Sequence, residues 1–161
     1  MTKPIEPPEE AQQHERYDHK DELIMKNLMS DARRSARQLS LAVGLSTVTV
    51  LSRIKRLEKT GVIRGYHASI NHEKVGYGLT AIIEVVAEKN KISHIEGSIS
   101  KYENVCAVYD MTGATDMLII AKFRSRQELS AFVKGLGDIT HVKNTITHVV
   151  LNTVKEDFRL M

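Results

Sequence analysis

The sequence predicts an α+β chain in two parts: an N-terminal winged helix-turn-helix joined to a C-terminal ferredoxin-like βαββαβ domain. Three observations carry this. Residues 35–66 contain two helical stretches separated only by Gly44, Leu45 and Ser46, followed by a short extended run. From Leu79 onward, β-branched apolar runs alternate with helical ones in the order βαββαβ. Positive charge is concentrated in the first part. Residues 16–65 carry eleven Lys and Arg against five Asp and Glu, a net +6, while residues 1–15 carry −3 and residues 66–161 balance.

Residues 1–16 hold all three prolines and four Glu, which predicts a flexible acidic tail. The DNA-binding domain is expected over 17–66. Its first helix runs from about Asp18 to Met29. Asp18 suits the N-cap, Asp21 and Glu22 suit the positive end of the dipole, and Ile24 and Leu28 face the core. Ser35-Ala36-Arg37-Gln38 matches a capping box and opens a second helix with Ala36, Leu39 and Val43 on its apolar face. Gly44 ends that helix in the left-handed region, and Leu45 plugs the turn. Ser46 caps a third helix that stops at Gly61. Val62–Ile70 is extended in character, the pattern of a small β-wing, and residues 67–78 form the wing and linker.

Residues 79–161 are expected to form the second domain. The strands are Leu79–Val86, Val105–Met111, Asp116–Phe123 and Val142–Val154. The helices are Ile92–Tyr102, with Ile92, Ile95 and Ile99 on one face, and Gln127–Leu136, with Leu129, Phe132 and Val133 inward. Thr112–Thr115 is a turn.

Composition excludes several classes. Of 161 residues, 42% are hydrophobic, enough for a core. No apolar run approaches the roughly 18–20 residues that span a bilayer, and the N-terminus lacks a secretory h-region. The single cysteine, Cys106, excludes an internal disulfide framework or a multi-Cys metal site, and its apolar neighbours predict a buried, inert thiol. The seven histidines form no ligand-spaced cluster. No Ser-His-Asp order, P-loop or GxGxxG is present, so no catalytic, cofactor or metal site is assigned.

On a wheel at about 100° per residue, Val50, Ile54 and Leu57 fall on the packing side of the third helix. Val48, Thr49, Ser52, Lys55, Arg56 and Lys59 fall opposite, with Arg53 on a flank. The expected DNA contacts are Ser46, Thr47, Val48, Thr49, Ser52, Arg53, Lys55, Arg56 and Lys59. Hydroxyls in the first turns can bond base edges, Val48 can touch a thymine methyl, and Arg53 and Arg56 can fork onto guanine or phosphate. Lys55 and Lys59 suit the phosphate backbone. An amphipathic surface helix with no groove to enter has the same pattern.

A longer string is more specific: Asp18-His19-Lys20-Asp21, Ile24, Leu28, Asp31-Ala32-Arg33, Leu39-Ser40, Val43-Gly44-Leu45-Ser46, Arg53-Ile54, Arg56-Leu57-Glu58, Gly61-Val62-Ile63 and Gly65-Tyr66. It resembles the Lrp/AsnC (feast/famine) family of prokaryotic transcription regulators, and the likeness runs from about Tyr17 to Val154. The resemblance implies a RAM-type second domain, dimers that build tetramers or octamers, double-stranded DNA as partner and often an amino-acid effector. Composition predicts a cytoplasmic protein with no membrane partner, and DNA as partner makes it nucleoid-associated. The resemblance also implies that the turn Thr112-Gly113-Ala114-Thr115-Asp116 lines the effector pocket. Gly113 can bring a backbone N–H to a carboxylate, Asp116 can pair with an ammonium, and Thr145 and Thr147 add hydroxyls. The same residues also fit a solvated hairpin turn.

The sequence departs from the family at three places. Lys20 replaces an apolar residue and is expected to loosen the first helix. Thr47 replaces a common proline. Ile139-Thr140-His141-Val142 replaces the usual Leu-Pro-Gly-Val. The alternatives are a siroheme-decarboxylase-like enzyme on the same scaffold and a global DNA-compacting protein.

Overall fold

Asp18 and Asp21 open the first helix reciprocally. The Asp18 carboxylate accepts from the Asp21 N–H at 3.0 Å, and the Asp21 carboxylate accepts from the Asp18 N–H at 2.9 Å. The computed structural model describes residues 17–88 and 91–160, so the tail expected over 1–16 lies outside the described residues. Three helices follow: α1 (His19–Ser30), α2 (Ala36–Val43) and α3 (Thr47–Lys59). The Ser35 hydroxyl and the Gln38 side chain complete the expected capping box of α2. Gly44 ends that helix at φ 66°, a conformation that a Cβ disfavours. Ser46 caps α3 through the Thr49 N–H.

The apolar stripes of the three helices meet in one core. Ile24, Leu28, Leu39, Val43 and Val50 are buried there, with Leu23, Leu45, Ile54 and Ile63 packed against them. Each such side chain contributes about 1.5–3 kcal/mol when fully buried. After α3, Gly61 takes φ 74° and the Ile63 N–H returns to the Leu57 carbonyl. Residues 64–70 form no strand, so the β-wing expected over Val62–Ile70 is an irregular segment. Its anchor is the Tyr66 hydroxyl, which donates to Glu58 on α3 at 2.9 Å. Burial, then Glu58, pushes that hydroxyl's pKa up to about 12.

The second unit begins at Ile70 rather than at Leu79 and ends at Glu156, and residues from Asp157 group with the first unit rather than the second. After a 3-10 turn at Glu73–Val75 come β1 (Leu79–Ala87), α4 (Ile92–Ile99), β2 (Val105–Asp110), β3 (Met117–Phe123), α5 (Arg126–Gly137) and β4 (Val142–Val149). The four strands form an antiparallel sheet in the order β2-β3-β1-β4. One face carries Ala81, Ile83 and Val85 with Met117, Ile119 and Ala121. It is buried beneath Ile95 and Ile99 of α4 and Phe132 and Leu136 of α5. The βαββαβ order is therefore as expected.

Two boundaries and one burial differ most. β4 stops at Val149 instead of Val154, because β1 begins at Leu79. Val150 donates to Thr80, and β1 offers no further partner. α4 stops at Ile99 instead of Tyr102, in a stretch of Ser and Gly where the Ser98 hydroxyl turns back to the His94 carbonyl. Cys106 is exposed, not buried, because edge strand β2 bulges between Val105 and Ala107. Its neighbours still desolvate the thiol and push its pKa up, against the opposing pull of Lys122.

Candidate functional site

The exposed side of α3 is built by the core beneath it. Val50 and Leu57 are fully buried, which fixes the helix by its apolar stripe. Thr47, Val48, Thr49, Ser52, Lys55, Arg56 and Lys59 then lie on the exposed side, with Val48 77% exposed. Leu51 is also exposed and, three residues from Val48, shares its side. The first-turn hydroxyls are partly engaged. Ser46 Oγ accepts from the Thr49 N–H at 3.1 Å and lies 2.8 Å from Thr49 Oγ1. Thr47 Oγ1 donates to Ser40 Oγ at 3.4 Å. Ser46 is thus first a cap.

Arg53, a candidate for guanine or phosphate, is engaged within its own unit. Its Nη1 donates to Asp18 at 2.7–2.8 Å and to Asp21 Oδ1 at 2.9 Å. Only 24% of its side chain is exposed. The guanidinium is committed to two carboxylates of α1 and braces α1 against α3. The Arg53 guanidinium, with a backbone N–H from the first turn, holds the Asp18 carboxyl at about 2, below the usual range. Arg56 also reaches Asp21, at Oδ2 through Nη2, yet its side chain stays 50% exposed. Asp21 itself is completely buried.

Lys20 also differs from expectation. Its Nζ donates to the Val43 carbonyl at 2.7 Å, at the last turn of α2. An ammonium there satisfies an orphan carbonyl and complements the negative end of the helix dipole, so it ties α1 to α2 rather than loosening it. Neither the Lys20 tie nor the Asp21 brace has a local signal, since both link residues far apart in the chain.

In the second unit, the turn Thr112–Asp116 joins β2 to β3. Gly113 takes φ 126°, and a Cβ there would meet nothing within 4 Å. Thr112, Gly113 and Ala114 are exposed, while Thr115 is buried. Asp116, the candidate partner of an ammonium, also has a structural contact. Its Oδ2 accepts from the Ala87 N–H at 2.8 Å, and its own N–H donates to Val85, adding a rung past the end of β3. Thr145 and Thr147 pair across β4 with Val85 and Ile83, so they lie on the helix-covered face at the same end of the sheet. Among the described residues, Thr147 Oγ1 is a buried side-chain oxygen without a hydrogen-bond partner. No group of three metal-binding side chains occurs among the described residues.

Comparison with known proteins agrees with this geometry. Residues 17–64 match the model of winged helix-turn-helix DNA-binding domains, and residues 80–160 match that of the Lrp/AsnC ligand-binding domain. An HTH-type transcriptional regulator of Pyrococcus abyssi is 46% identical over 143 residues, 89% of this chain and 97% of the relative. The HTH-type transcriptional regulator FL11 of the same organism is 35% identical, covering 89% and 95%. A transcriptional regulator of Neisseria meningitidis, solved as a complex with L-Met, superposes with a TM-score of 0.82 at 31% identity, covering 90% of this chain and 96% of that one.

Proposed function

The chain belongs to the Lrp/AsnC family of helix-turn-helix transcriptional regulators, and on that premise we propose that it reads duplex DNA with the exposed side of α3. The observation that carries this is the division of α3 itself. Its apolar stripe is buried, and Thr47, Val48, Thr49, Ser52, Lys55, Arg56 and Lys59 are exposed on a unit whose positive excess has no counterpart elsewhere in the chain. Thr47, Val48, Thr49 and Ser52 face the bases. Lys55, Arg56 and Lys59 hold phosphates. Arg53 is the brace beneath them.

The second unit supplies self-association. The sheet face turned away from the helices carries Ile82, Val86, Leu118, Ile120 and Ile146 beside Glu84, Lys122 and His148, and Ile146 is 42% exposed. This mixed face with an apolar centre suits a second copy of the chain, which sets two reading helices on a pseudo-palindrome. An amino acid is the effector class, bound near the turn Thr112–Asp116 and Thr145 and Thr147. The orphaned Thr147 hydroxyl supports a polar ligand on that side of the sheet. The protein is read as a cytoplasmic regulator, associated with the nucleoid, and not as an enzyme.

The experiment is a competition between a duplex that the protein selects from a random-sequence pool and an unrelated duplex. A regulator of defined sites prefers the first by about 10³-fold or more. Equal affinity for both would favour a DNA-compacting role, and no affinity for either would remove the reading.

A further inference from the structure

We propose that Asp21, which contacts no DNA itself, is the positioning residue of the α3 phosphate clamp, through its hold on Arg56. The carboxylate is wholly buried, yet both of its oxygens are used. Oδ1 receives Arg53 at 2.9 Å, and Oδ2 receives Arg56 together with the Asp18 N–H at 2.9 Å. The two arginines are not equivalent. Arg53 is 24% exposed and its Nη1 is shared between two carboxylates, so it compensates the buried charge. Arg56 is 50% exposed and reaches Asp21 through Nη2. A guanidinium has five donors in a rigid fork, so one edge can rest on Asp21 while the other meets a phosphate.

The geometry has an energetic logic. An unrestrained arginine loses rotamer freedom when it binds, and that loss subtracts from affinity. Arg56 has already lost it, because the anchor is buried and cannot move to another partner. The anchor also persists on engagement: with one edge of Arg56 on a phosphate, Asp21 keeps Nη2 of Arg56 together with Arg53 and the Asp18 N–H. The clamp is therefore preset.

This inference rests on the DNA-reading face of α3 proposed above, and the test separates the two. The full chain is titrated against a labelled duplex selected from a random pool, at several salt concentrations, as wild type, Asp21→Asn, Arg56→Gln and the double variant. Arg56→Gln should weaken binding roughly tenfold and lower the salt slope by about one. Asp21→Asn should weaken it by roughly fivefold, and the double variant should bind no more weakly than Arg56→Gln alone. Multiplied losses in the double variant, or wild-type affinity in Asp21→Asn, would overturn the proposal. A purely structural Asp21 lowers the melting temperature without this coupling. Where Asp21→Asn fails to fold, Arg56→Lys decides. A single ammonium cannot serve the anchor and the phosphate from two edges, so affinity should stay near that of Arg56→Gln, and full recovery overturns the idea. If Lys55→Ala and Lys59→Ala also leave affinity and slope unchanged, the DNA-facing reading itself has failed.

Discussion

His141 and Glu88 hold each other twice, across the start of β4 and the end of β1. The Glu88 N–H donates to the His141 carbonyl at 3.0 Å, and His141 Nδ1 lies 3.0 Å from Glu88 Oε2. His141 does so at φ 77°, in the left-handed region that favours glycine. Such a backbone costs a side-chain-bearing residue about 1–3 kcal/mol, whereas a half-exposed pair returns at most about 1 kcal/mol.

His141→Gly should therefore stabilise the second unit by about 0.5–1 kcal/mol after glycine's own entropy cost. Urea unfolding of the full chain checks this. A loss of stability would mean that the side-chain pair outweighs the backbone strain.

The Asp18–Arg53 pair predicts a pH window. A carboxyl held at about 2 in the folded chain stabilises fully above its ordinary range, near pH 4, and loses that contribution as pH falls through 2. Asp18→Asn keeps a good N-cap but cannot ionise. Melting temperatures measured from pH 5 to pH 2 should differ most at the upper end and converge at the lower. A constant offset across the range would contradict the pairing.

Asp116 should behave first as a structural acceptor. Asp116→Ala leaves the Ala87 N–H unsatisfied and should cost about 1–3 kcal/mol, while Asp116→Asn, which retains an acceptor, should melt near wild type. In Asp116→Asn the amino-acid effect on melting then isolates the charge. A shift present in wild type and absent in that variant assigns the ammonium contact to Asp116. Equal destabilisation by both substitutions would remove the rung from the account.

Ile146→Glu sets a carboxylate on the open sheet face next to Glu84, its partner across β1 and β4. If that face joins two copies, sedimentation velocity should show dissociation at concentrations where wild type is associated. The fold should be unchanged, because Ile146 is already 42% exposed. An unchanged sedimentation coefficient would move the interface elsewhere.

What could be read from the sequence follows the range of the forces involved. The capping box at Ser35 and Gln38, the left-handed Gly44 and the cap at Ser46 are local, so residue type and spacing reveal them. The inward stripe of buried Val50 and Leu57 with half-buried Ile54 follows from helical period alone. The Arg53–Asp21 brace joins residues 32 apart, and no local pattern marks an arginine on a basic helix as already taken. The end of β4 is set by where β1 begins, and the exposure of Cys106 by a bulge against β3. The dual use of Asp116 has the same origin, since Ala87 supplies the donor from 29 residues away.

The most direct measurement is the salt dependence of binding by Lys55→Ala and Val48→Ala, each against a selected duplex and an unrelated one. With α3 in the groove, Lys55→Ala should weaken both complexes alike and lower the slope of log affinity against log salt by about one. Val48→Ala should leave the slope unchanged and reduce only the preference for the selected duplex. Wild-type affinity, slope and preference in both variants would show that this side of α3 does not meet DNA.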